Sequence, residues 1–82
     1  MKNLTKEEIS KVISNQFVVL AEYSSERGLI SERPYLSSDG DTEARFMLHE
    51  QEDPNIVIYM FQAVLAINGS IQRGEFIRQY EK

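Results

Sequence analysis

Cysteine is absent, so no disulfide staples this fold and no thiolate holds a metal, and a reducing compartment is permitted. Histidine occurs once, at His49. That excludes a multi-histidine zinc site and leaves a Ser-His-acid triad with a single candidate base. The sequence contains no phosphate-cradling P-loop, dinucleotide fingerprint or G-x-S-x-G nucleophile elbow. His49 beside Glu50 and Glu52 is the only acid-base grouping, and it reads as an exposed, charged surface run. No catalytic residue, metal ligand set or cofactor is expected, and the chain does not read as an enzyme.

Long hydrophobic runs are also missing. The longest, Ile56 to Ile67, is interrupted only by Gln62 and falls well short of the roughly 20 residues that span a bilayer. The opening residues, Met1 to Glu8, carry acids and no following apolar stretch, so they do not read as a signal peptide. Cytoplasmic residence is the expectation. With 82 residues the chain reads as one domain, and a domain this small buries little more than about 60% of its unfolded surface.

Acidic residues are plentiful but unevenly spread. The net charge is −4, yet Ser31 to Asp53 holds seven acids against Arg33 and Arg45, and the remainder is nearly balanced. A nucleic-acid ligand needs a basic footprint and is disfavoured. The acidic segment suits a basic protein surface, with Glu32, Asp39, Asp41, Glu43, Glu50 and Glu52 as candidate contacts. Within it, "DGDTE" (residues 39 to 43) has alternating carboxylates able to wrap a hard cation, but it reads better as a turn leading into a helix.

Local signals favour helices. Thr5-Lys6-Glu7-Glu8 is a capping box, with Leu4 and Ile9 placed as a hydrophobic staple. Ile9, Val12, Ile13, Phe17, Leu20 and Tyr23 follow at three- and four-residue steps, which predicts one helix from Lys6 to about Arg27 ended by Gly28. A rival reading takes "QFVVLAEY", residues 16 to 23, as a strand after a shorter helix. Residues 42 to 51 predict a second helix, or else the second arm of a β-hairpin. Asp53-Pro54 opens a third over the apolar run, and Ser70 caps a fourth, with Gly74 at a close crossing. The expected fold is an all-α, single-domain bundle of about four helices, with α+β and a hairpin around residues 33 to 49 as the alternative.

Residues 68 to 76, "NGSIQRGEF", resemble the second half of an EF-hand calcium loop. Val64 and Ala66 occupy its first and third positions, where calcium needs oxygen ligands, so the match predicts only a turn.

A helix apolar on every side needs cover on every side. Tyr59, Met60 and Phe61 are therefore candidates for an apolar interface, together with Tyr35, Leu36 and Phe46 as anchors. The functional expectation is a non-enzymatic protein-binding module: an inhibitor, immunity or adaptor protein of bacterial or phage type. The alternative is a self-associating assembly protein that dimerises through residues 54 to 67.

Overall fold

A computed structural model describes residues 5–82. The elements run α1 (Lys6–Ser14), β1 (Phe17–Ser24), β2 (Gly28–Leu36), α2 (Ser37–Glu50), β3 (Ile56–Leu65) and β4 (Ile71–Tyr80). The four strands form one sheet in the order β2-β1-β3-β4, with every neighbouring pair antiparallel. The fold is α+β, so the expected four-helix bundle is incorrect. The alternative α+β reading fits better, although its hairpin lies elsewhere: β1–β2 and β3–β4 are the hairpins, and residues 37 to 50 are helical.

The start of the chain behaves as read. Thr5 Oγ accepts from the Glu8 amide and the Glu8 carboxylate accepts from the Thr5 amide, completing the capping box. Leu4 of the staple lies outside the described residues. The helix then ends at Ser14, and Asn15 is already extended. Ser14 competes for the backbone through its own side chain, its Oγ donating to the Ser10 carbonyl. Beyond Asn15 the rival strand reading is the one that holds.

The long helical spacing came from residues that are apolar in both elements. In β1 both faces of the sheet are covered, so Phe17 to Ala21 are all buried, and such a strand shows no alternation. Ile56 to Leu65 misleads for a related reason: its burial alternates, but the residues on its more open face are apolar as well. It is a central strand between β1 and β4, and its β-branched and aromatic residues favour a sheet once partners are available.

The turn signals at Gly28 and at Asn68-Gly69 were sound, although the elements joined to them were not helices; the turn expected at residues 39 to 43 is instead part of α2. Gly28 (φ +76°) ends the β1–β2 turn and Gly69 (φ +82°) the β3–β4 turn. Asn68 Oδ1 accepts from the Ser70 amide at 3.0 Å, and Asp53 Oδ1 accepts from the Asn55 amide at 2.8 Å. These Asx turns reverse or start strands as readily as they cap helices.

The two helices lie on opposite faces of the sheet. β2 and β3 both pair antiparallel with β1, so they run parallel, and α2 crosses β1 to join them. Beneath α2 lies the larger core: Val18, Leu20, Ile56, Ile58, Met60 and Tyr80 meet Ala44 and Leu48. On the other face Phe17, Val19 and Ile71 are buried beside Val12 of α1, with Leu36, Ala63 and Leu65.

Length decides how far each helix reaches. Nine helical residues span about 14 Å, whereas a ten-residue strand spans about 33 Å. α1 covers one end of its face, over Phe17, Leu65 and Ile71, and leaves the other end open.

Candidate functional site

Along β3 the side chains alternate. Ile56, Ile58 and Met60 are buried under α2, while Val57, Tyr59 and Phe61 are only half-buried on the opposite face. The pairing sets Ala21 beside Tyr59 and Tyr23 beside Val57, and Phe76 of β4 beside Phe61. Tyr23, Tyr59, Phe61 and Phe76 therefore share the open end. Tyr59 packs edge-on to Tyr23 (centroids 5.3 Å) and contacts Phe76 (6.1 Å), and Phe61 lies 5.7 Å from Phe76. Phe76 is 56% exposed. Four rings on one open face is an aromatic concentration typical of binding surfaces.

Arg73 arches across this face. Its guanidinium carbon lies 5.1 Å from the Phe61 ring centroid and 5.7 Å from that of Tyr23. Nη1 donates to the Tyr23 hydroxyl, and Nε stands 2.9 Å from Glu32 Oε1. Glu32 is on β2 and Arg73 on β4, so the pair ties together the two edge strands across both central ones. The Tyr23 hydrogen bond holds the Arg73 pKa above its ordinary value; burial opposes it, and the charges of Glu32 and Tyr23 reinforce it. The cation therefore persists throughout the usable pH range.

Glu32 Oε1 is sealed from solvent and, among the described residues, accepts no aligned hydrogen bond, so Arg73 is its compensation. Arg73→Ala is expected to cost about 1–2 kcal/mol, discounted because Arg73 itself is 38% exposed. Adding Glu32→Gln should recover part of it, as urea denaturation of the single and double variants will show.

Between these rings and the β1–β2 turn is a cleft of about 470 Å³, walled by Tyr23, Val57, Tyr59 and Phe61, with Ser25 and Asn55 at its end. Among the described residues, no carboxylate, ammonium or guanidinium group lines it. The Ser24 hydroxyl is committed to the turn, accepting from the Glu26 and Arg27 amides at 3.2 and 3.3 Å.

The residues expected at an interface are dispersed. Tyr59 and Phe61 are on the open face, but Met60 is 4% exposed and belongs to the α2 core. Tyr35 packs against that same core, and Leu36 against the cluster under α1. Phe46 projects from α2, 58% exposed.

The acidic positions also separate. Glu32 faces Arg73. Asp39 and Glu50 are exposed and Glu43 half-buried on α2, and Glu52 is exposed beyond it. Asp41 accepts from the Tyr80 hydroxyl and from Arg78 Nη1, the latter at 2.9 Å. Carboxylates two apart on a helix diverge by about 200°, so the helical course of "DGDTE" spreads its acids. His49 lies exposed in the last turn of α2. Buried Glu22 accepts from Gln51 Nε2 and, at 3.4 Å, from Ser31 Oγ, which ties the end of α2 to β1.

Tyr23, Arg73 and Phe76 were not singled out from the sequence. They lie on three separate stretches that only strand pairing brings together. Comparison with protein-family models, curated proteins and solved structures finds no match.

Proposed function

We propose that this chain is a non-enzymatic protein-binding module of the inhibitor, immunity or adaptor kind, and that it holds its partner through the open aromatic face. The observation that carries this reading is the half-covered sheet: α1 shields one end, and Tyr23, Tyr59, Phe61 and Phe76 stand on the other. Tyrosine, aromatic residues generally and arginine dominate binding energy at protein interfaces. The acidic residues on and beyond α2 act at longer range. Asp39, Glu43, Glu50 and Glu52 lie on and beyond α2, across the sheet from the rings, so they act only through the overall negative charge that favours approach of a basic partner, while the rings provide the lasting contact.

A photo-crosslinking residue placed at Phe76 tests this in cells. A covalent adduct with a different protein, absent when the same residue replaces exposed Lys11, is the expected result. No adduct from Phe76 would overturn the reading.

A second reading, self-association, draws on the same observation, because Tyr59 and Phe61 come from the apolar segment first considered for dimerisation. It predicts an adduct of twice the chain mass and a molar mass that rises with concentration in light scattering.

A further inference from the structure

We propose that the cleft between Tyr23, Val57, Tyr59 and Phe61 is an anchor pocket for the uncharged aromatic ring of a partner's tryptophan or tyrosine. This rests on the protein-binding reading and names what the partner presents. Three observations select that occupant.

The first is charge. Arg73 already sits over the rings of Tyr23 and Phe61, so a second cation seeking those π-faces meets a fixed positive charge. An anion meets the negative ring faces, and Arg73 offers it little because its charge is matched by Glu32 at 2.9 Å. A neutral group avoids both penalties.

The second is ring geometry. Tyr23 and Tyr59 are set at 89° with centroids 5.3 Å apart, so one presents an edge where the other presents a face. An incoming ring extends that edge-to-face pattern, which an aliphatic side chain cannot.

The third is the distribution of polarity. The cleft, about 470 Å³, is walled mainly by apolar surface from Val57 and the rings of Tyr23, Tyr59 and Phe61, with a few polar groups among its lining, including the hydroxyl of Ser25 and the carboxamide of Asn55 near the β1–β2 turn. This suits a planar group with an apolar body and one polar tip, as in indole N–H or phenol O–H.

The test is titration of the isotope-labelled protein with N-acetyl-tryptophanamide, followed by two-dimensional NMR. Saturable shifts at millimolar probe, centred on the amides of Tyr23, Ser25, Asn55, Val57 and Tyr59, are expected. N-acetyl-tryptophan, which carries a carboxylate, and tryptamine, which carries an ammonium, should each bind several-fold more weakly. Tyr59→Ser should weaken the neutral probe by about three- to tenfold. Val57→Lys gives a second variant of the same pocket should Tyr59→Ser fail to fold. Glu32→Gln frees the charge of Arg73 and should narrow the preference against the carboxylate probe.

Absence of saturable shifts, shifts centred on α2, or equal binding of all three probes would overturn the pocket. Failure of the protein-binding reading looks different: the probe binds here, yet no foreign protein crosslinks at Phe76. A foreign adduct at Phe76 without probe binding would leave the partner and remove the pocket.

Discussion

Ile58→Ala is expected to destabilise the protein by about 2–5 kcal/mol, whereas Val57→Ala, one residue earlier, costs about 1 kcal/mol or less. Ile58 is fully buried beneath α2, among Leu20, Leu48 and Met60. Truncating it removes methylene groups from a packed interior and leaves a void that the central strand cannot collapse to fill. Val57 faces the cleft on the other side of the sheet, where part of its surface is already wet. A domain of this size has about 4–12 kcal/mol of stability in total, so Ile58→Ala alone brings it near unfolding. Urea denaturation of both variants, with slopes compared to confirm equal exposure on unfolding, measures the difference. Equal losses at 57 and 58 would mean that the open face is covered.

Gly40→Ala carries the second large effect, and its sign is the informative part. In an exposed helix, glycine to alanine stabilises by about 1 kcal/mol. Gly40 is instead buried in the first turns of α2, where an added Cβ would overlap Val18 Cγ2 and come within 3.2 Å of Met60 Cε. Val18 is β-branched, stiff at χ1 and packed on a buried strand, so it yields little. The helix must therefore lift from the sheet, at a cost of about 1–3 kcal/mol. Thermal unfolding should show a lower midpoint, and a rise would show that α2 does not approach the sheet so closely. The displacement would also strain Asp41, next along the helix, whose carboxylate fastens α2 to Tyr80 and Arg78.

Much of the local structure was legible in the residues. Thr5 and Glu8 announced a helix start, Gly28, Asn68 and Gly69 announced turns, and the segment from Ala44 to Leu48 formed its helix. The apolar stretches were ambiguous for a definite reason. Periodicity identifies an element only when one of its faces carries polar residues. β1 and β3 are central strands with apolar groups on both faces, so their composition reports burial without reporting period. β4 was obscured differently. Its register shifts opposite Met60, Phe61 and Ala63, and Gly74 fits closely against Val64 and the Gln62 carbonyl, so strict alternation along residues 71 to 80 is broken.

The candidate site was only partly legible. Tyr59 and Phe61 stood out because they are adjacent in an apolar run, and so did Met60, which turned out to belong to the core. Tyr23, Arg73 and Phe76 carry no local mark, since a tyrosine ending an apolar stretch and an arginine in a polar one are commonplace.

By itself the sequence determined the turns at Gly28 and at Asn68-Gly69, where its first helix begins, and that its chemistry offers no thiolate or multi-histidine site. These follow from side chains acting on their own backbone or from what is simply absent. Tertiary structure alone decided that the apolar segments are strands, because a strand is completed by hydrogen bonds to distant residues that no local preference specifies. It also decided that Met60 is buried while Tyr59 and Phe61 remain accessible, because the pleat sends neighbours to opposite faces and a nine-residue helix is too short to cover one of them.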